Sequence, residues 1–285
     1  MYFWVKMRKI FIFSAVLTGI LCAAGGSNLK SNLNGVAPLS RDEILMKYAN
    51  VKPGLWGEDL DGIVRRLPVA TPEARNSNLN DENAPKIVAL TFDLCGSAHD
   101  GFDEKLVEFL EKEGVKATFF VNARWIKKYP REFARLASNP LFEIENHGAR
   151  HVPASLTGRS VYGIKGTASA AELLAEIEEG AAAIEAASGR KPRFFRSGTA
   201  YYDEGAVALI REAGFVPVGF AVLGDAGATY SAGRVKAAFL SAKHGDIVIA
   251  HANHPEKETA EGVIAALPKM LGLGYRFVRL DDYLK

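Results

Sequence analysis

From residue 86 onward the chain alternates between two hydrophobic rhythms. Residues 86–92 are nearly all apolar (Ile87, Val88, Ala89, Leu90), the pattern of a strand buried on both faces. Residues 102–112 then place Leu106, Phe109 and Leu110 at helical spacing. A strand at 117–121, a helix at 125–137 and a strand at 142–145 follow, and an unpatterned loop covers 152–167. Leu173, Ile177, Ala181 and Ile184 share one stripe of a helix over 170–187, with Gly189 placed as its C-cap. Strand runs recur at 193–195, 215–222, 246–250 and 275–279, separated most clearly by helices at 204–213 and 260–271.

Strand–helix alternation repeated about seven times predicts parallel strands with helical crossovers. An open doubly wound sheet and a closed barrel both satisfy it. No Gly-rich phosphate loop follows the first strand, which weighs against a dinucleotide fold. The expectation is an α/β chain, a (β/α) barrel of seven strands, distorted or incomplete, with a short N-terminal extension.

The rhythm is absent upstream. Lys6, Arg8 and Lys9 precede an apolar run over 10–22 and the small residues Ala23, Ala24 and Gly25. This is the layout of a signal peptide over residues 1–24, with Met7 as a second possible start. The run is short of the roughly 20 apolar residues a membrane span needs. Leu21 before Cys22 does not fit a lipoprotein site. The reading is an exported protein, periplasmic or secreted, with no stable membrane insertion after cleavage. Residues 25–85 read as a leader, extension and linker, and 86–285 as the domain. Within the extension, Ser40-Arg41-Asp42-Glu43 resembles a capping box displaced by one, ahead of a short helix with Ile44, Leu45 and Tyr48.

Cleavage changes two global properties. Loss of three basic residues takes the formal net charge from +2 to −1, so no electrostatic footprint for nucleic acid remains. Only Cys95 is left of the two cysteines, which excludes an intramolecular disulfide.

Polar residues cluster where a barrel of this type carries its chemistry, just past the strands. Asp93 ends the first strand run, His147 follows the third, Arg196 the fourth, Asp225 the fifth and His251 ends the sixth. Of six histidines, His99, His147, His151, His251 and His254 all follow strands, while His244 precedes one and is expected to cap a helix C-terminus at the opposite end. His147 and His151 are spaced H-x3-H; on a helical turn both imidazoles would face one metal ion.

These segments resemble the polysaccharide deacetylases of the NodB-homology type, carbohydrate esterase family 4, over residues 86–285. Thr91-Phe92-Asp93 is similar to the start of the family's T-F-D-D motif, and 116–121 to its second strand. His147–His151 matches the metal-binding H-x3-H. Arg196-Ser197-Gly198 stands at the R-x-P motif, Ile249-Ala250-His251 matches L-x-H, and 274–278 is similar to the last strand. The resemblance implies hydrolysis of an N-acetyl amide on a glycan, with release of acetate. It implies a divalent metal, usually zinc, on His147 and His151, with Asp93 as general base and His251 as the acid that protonates the amine. Arg196 would orient Asp93, Asp225 would hold His251 protonated, and a backbone N–H such as that of Thr199 would support the oxyanion.

The sequence departs from the family at Leu94, where an aspartate normally ligates the metal. Cys95, His99, Asp100 or Asp103 could fill the gap, Asp93 could itself move onto the metal, or the site could bind metal weakly. Ser197-Gly198-Thr199 also replaces the proline-containing motif, and His254 enriches the last one, either assisting catalysis or capping its loop. Two other functions stay open: hydrolysis of a non-sugar C–N bond, and carbohydrate binding by a protein that has lost its metal.

Overall fold

A computed structural model describes residues 39–69 and 86–285. The segment read as a signal peptide (1–24), most of the leader and the linker expected over 71–85 lie outside the described residues. The first described element is α1 (Arg41–Tyr48). Ser40 is its N-cap: the Ser40 hydroxyl accepts from Glu43 N, and Ser40 N donates to the Glu43 carboxylate at 2.8 Å. The capping box is therefore in register, not displaced by one.

The domain runs β1 (Lys86–Leu94), α2 (Glu104–Lys112), β2 (Ala117–Val121), α3 (Ala123–Lys128), α4 (Pro130–Ser138) and β3 (Phe142–Asn146). A small hairpin follows, β4 (Ser160–Val161) with β5 (Ile164–Lys165), then α5 (Ala170–Ser188) and β6 (Phe194–Phe195). The rest is α6 (Glu204–Glu212), β7 (Val216–Pro217), β8 (Val222–Leu223), α7 (Ala232–Leu240), β9 (Ile247–His251), α8 (Thr259–Gly272) and β10 (Tyr275–Val278). The single helix expected over 125–137 is two. Pro130 opens the second at its first position, and Tyr129 before it is forced out of the helical region, at φ −126° and ψ 59°. The loop expected over 152–167 contains the hairpin. Among the described residues no helix is long and apolar enough to cross a membrane.

The main sheet is parallel, in the order β7-β6-β3-β2-β1-β9-β8, with β10 paired to the first half of β1. The strand run expected over 215–222 supplies both ends of this order. Its start, β7, pairs with β6, and its end, β8, pairs with β9, so one bent strand links the two edges of a curled sheet. This is a distorted (β/α) barrel. The extension fills the seam at the bend. Val64 N donates to Pro217 O at 2.9 Å, Gly219 N donates to Val64 O at 2.9 Å, and Leu67 N donates to Gly245 O at 2.7 Å. Residues 39–69 thus do more than lie at the periphery: Ile44, Tyr48 and Leu67 are buried.

Strand alternation sorts side chains between two cores. On β1, Val88, Leu90, Phe92 and Leu94 join the outer core under the helices. Ile87 and Ala89 join the inner core with Phe120, Phe194 and Ile247. Thr91 and Asp93 continue that inward parity.

Candidate active site

Asp93 is buried on the inward face at the end of β1. Arg196, just past β6, donates from Nη1 to Asp93 Oδ1 at 2.7 Å. The guanidinium is itself fully buried. It lies 4.2 Å over the Phe120 ring and donates from Nη2 to Gly219 O at 3.0 Å. Burial pushes the Asp93 carboxyl up, but Arg196, His147 and His251 outweigh it and hold it below the ordinary carboxylate value.

His147 follows β3. Its Nδ1 is 2.9 Å from the Arg196 carbonyl, which accepts the ring proton and leaves Nε2 bare. Arg196 therefore fixes both Asp93, through its side chain, and His147, through its backbone. The His147 Nε2 lies 3.8 Å from Cys95 Sγ and 3.5 Å from Asp93 Oδ2. His151 meets His147 edge to face, with ring centroids 4.9 Å apart. Burial depresses both imidazoles, His151 to about 3 with His147 beside it, so both rest neutral.

The H-x3-H segment is not a helical turn. His151 is left-handed, at φ 60°, and the loop is held by buried polar side chains. Asn122 donates from Nδ2 to His147 O and Gly148 O, at 3.0 and 2.8 Å. Glu176 accepts from the backbone N–H of Arg150 and of His151. Gly198 packs against the same loop; a Cβ there would lie 2.2 Å from the His151 carbonyl carbon. The glycine that departs from the R-x-P pattern is what lets the Arg196 loop approach the histidines.

His251 ends β9, opposite Asp93 in the β1 register. Its Nδ1 is 2.9 Å from Asp225 Oδ1, its backbone N donates to Asp225 Oδ2 at 2.7 Å, and Thr259 Oγ1 donates to the same oxygen at 3.0 Å. Burial disfavours the imidazolium, but Asp225 and the Cys95 thiol overcome it and hold the ring well above the ordinary histidine value. All six residues singled out in the sequence thus converge.

The sequence left open what stands in for the ligand missing at Leu94. Leu94 itself is fully buried in the outer core, facing away from Asp93. Among the described residues one group of His, Cys, Asp and Glu gathers its ligand atoms, Cys95 with His147 and His151, all within 4.8 Å of one another. His99 is exposed. Asp100 accepts from Ser97 N at 2.7 Å, and Asp103 N-caps α2. His254 lies 3.8 Å from Asp100 and 3.3 Å from Glu256, in its own loop. His244 Nδ1 accepts from Ile87 N at 2.9 Å and so tethers the start of β1. A surface depression of about 360 Å³ between Gly114 and Phe277 lies beside the start of β2 and β10, away from this cluster.

The donor set fits a divalent metal of zinc type. A tetrahedral centre with one thiolate and imidazoles spaces sulfur and nitrogen about 3.5 Å apart. The observed 3.8 Å between Cys95 and His147 matches that edge. Burial raises the free Cys95 thiol, yet a bound cation reverses this by favouring the thiolate outright.

Residues 80–218 match the family model for polysaccharide deacetylase. The curled parallel sheet is shared with solved structures of carbohydrate esterase family 4. One is a family pseudoenzyme from Bacillus anthracis, BA3943 (TM-score 0.58, 22% identity, covering 71% of this chain and 66% of that one). Another is the Bc1960 peptidoglycan N-acetylglucosamine deacetylase (0.59, 23%, 70% and 89%). A third is a family 4 acetyl xylan esterase from Clostridium thermocellum bound to cobalt (0.58, 24%, 70% and 90%). No curated protein matches the sequence. Residues 80–218 are thus similar to the polysaccharide deacetylases, and the fold is the one those solved structures share.

Proposed function

We propose that this protein is an exported, metal-dependent hydrolase that removes N-acetyl groups from a glycan. The observation that carries the reading is the placement of Asp93, bonded to Arg196, and His251, bonded to Asp225, on facing strand ends beside a three-donor group that could hold a metal. Cys95, His147 and His151 would hold a zinc-type ion, which supplies positive charge for the acetyl carbonyl and for the attacking water.

The chain's own residues handle the protons. Arg196 occupies Asp93 Oδ1 and leaves Oδ2 to take a proton from water as general base. Asp225 engages His251 Nδ1 and leaves Nε2–H to protonate the departing amine. The resemblance of the fold to a peptidoglycan N-acetylglucosamine deacetylase supports an N-acetylhexosamine substrate, and the signal-peptide pattern at 1–24 supports export.

The test is metal content together with acetate release from N-acetylglucosamine oligomers. The mature chain is expected to hold about one zinc, and Asp93→Asn and His147→Ala to lose acetate release by about 100-fold or more. Cobalt in place of zinc should give a thiolate-to-metal charge-transfer band that Cys95→Ser removes while leaving the fold intact. A second reading, glycan binding without catalysis, draws on Leu94 and on the likeness to a pseudoenzyme. It is favoured if the chain binds oligomers but holds no metal and releases no acetate.

A further inference from the structure

An aromatic cluster stands beside the site and plays no part in the chemistry above. The Tyr201 ring lies 5.6 Å from Trp56 and 5.7 Å, edge to face, from Tyr162. The Arg159 guanidinium lies over the other ring system, 6.0 Å from Trp56. Three separate segments supply these groups: the extension, the β4–β5 hairpin and the loop that leaves Arg196.

Each segment is anchored so that its aromatic ring stays in place. Gly54 N and Leu55 N donate to the Glu204 carboxylate at 2.6 and 2.8 Å. Arg159 donates to Leu55 O at 2.8 Å and to Gly54 O at 3.1 Å. Gly57 and Tyr202 exchange two backbone bonds of 3.0 Å. Ser197 Oγ donates to Tyr201 O at 2.9 Å, which ties the cluster to the residue after Arg196. The same loop touches His151 through Gly198.

Tyr162 is the outlier. It is 72% exposed, which is unusual for so large a ring. It also occupies a left-handed backbone position, φ 53°, in the two-residue turn of the hairpin, followed by Gly163 at φ 75°. Two consecutive positive φ values define a type I′ turn, where Asn-Gly is the relaxed choice. Tyrosine is strained there, and strain of this kind persists at functional positions. Glu58 lies close enough to Tyr162 to act on its phenol electrostatically, so a carboxylate borders the rings.

We propose that Trp56, Tyr162 and Tyr201 form a stacking subsite for the sugar units that flank the one being processed, with Arg159 and Glu58 bonding to their hydroxyls. The inference rests on the glycan reading above. Pyranose rings present C–H faces that suit aromatic faces, while their hydroxyl edges need polar partners. Exposed rings interleaved with a guanidinium and a carboxylate meet both needs. The loop shared with Arg196, tied by the Ser197–Tyr201 bond, places the rings at the same end of the sheet as the candidate site.

The experiment compares Tyr162→Ala, Tyr162→Phe and Trp56→Ala with the intact protein. Catalysis is read as kcat/KM on N-acetylglucosamine oligomers from two to six units and on a small aryl acetate. The intact protein is expected to gain efficiency with length. Tyr162→Ala should lose about tenfold on the hexamer and under twofold on the aryl acetate, with Tyr162→Phe retaining most of it. Equal losses on short and long substrates, or none, would overturn the proposal. Binding is read separately, by tryptophan fluorescence and calorimetry with the hexamer, and does not require turnover. Hexamer binding that Tyr162→Ala weakens, in a protein that releases no acetate, leaves the subsite standing and rejects only the enzyme. Acetate release with hexamer affinity unchanged in Tyr162→Ala and Trp56→Ala rejects only the subsite, as does saturable capture of apolar peptides in place of the hexamer.

Discussion

Two groups of buried carboxylates face the inside of the same sheet and are stabilised in opposite ways. Asp93 is charged: Arg196 stands 2.7 Å from it, and its carboxyl lies below the ordinary value. Glu143 and Glu145, two strands away on β3, have no such cation. Burial lifts Glu143 to about 7, and burial with Glu143 as neighbour lifts Glu145 well above its usual value. Their partners are neutral donors. Glu143 accepts from Thr118 Oγ1 at 2.6 Å and Leu280 N at 2.9 Å, and Glu145 accepts from Arg193 N and Phe194 N at 2.8 and 2.7 Å. In the strand register Phe120 stands between Asp93 and Glu145, and the Arg196 guanidinium stacks on its ring. One cation, placed on one side of that ring, separates a carboxylate held toward its charged form from two that burial drives toward the neutral one.

The contrast has opposite signs in pH. Asp93, depressed from 3.8, contributes stability that is present above that value and is lost as pH falls through its folded pKa. Glu143, raised from 4.5 to about 7, contributes stability that is present below 4.5 and is lost as pH rises through 7.

Removing the cation should have the largest effect. Arg196→Met leaves Asp93 buried and unpaired and is expected to cost about 3–5 kcal/mol in urea unfolding. Unchanged stability would mean that the ion pair is not what keeps Asp93 charged. Next, Leu94→Asp restores the family's aspartate but places it in the outer core with neither a cation nor a staple. It should cost about 3 kcal/mol and leave zinc content no higher; a gain in zinc would show that the strand end can turn Leu94 toward the histidines. Third, Glu145→Gln keeps an acceptor for Arg193 and Phe194 but cannot ionise. Its stability relative to the parent should rise with pH, by on the order of 2 kcal/mol between pH 4 and 8, read as melting temperature against pH. A flat difference would show that the glutamates are charged. The smallest effect belongs to Thr118→Val, which removes one neutral donor to Glu143 and should cost about 1 kcal/mol at any pH below 7.

How much of this could be read from the sequence follows from which residues are placed locally. Asp93, His147, Arg196 and His251 each end or follow a strand whose run is legible, so their common rim was legible too. Cys95 was named only among candidates. Its direction depends on β1 keeping its alternation one residue past Leu94, which no local signal fixes. Glu143 and Glu145 mislead: Phe142-Glu143-Ile144-Glu145 alternates like a half-solvated strand, yet both glutamates face inward. Glu176, which holds the His151 loop, hides beside the apolar stripe of α5. The helix α7 buries little more than Val235 and Phe239 and has no strong periodicity. Residues 64–67 carry no pattern because their pairing partners, Pro217 to Gly219 and Gly245, are distant in sequence.

That seam also sets a timetable. The segment that closes the barrel is synthesised about 150 residues before the strand bend it joins, as the Val64 bonds to Pro217 and Gly219 show. Until Gly245 and its neighbours have emerged from the ribosome, Val64 and Leu67 have nothing to pair with, and contacts of such long separation slow folding. The sheet therefore stays unsealed until that bend emerges, and the stitch that shuts it has been waiting since before the sheet was made.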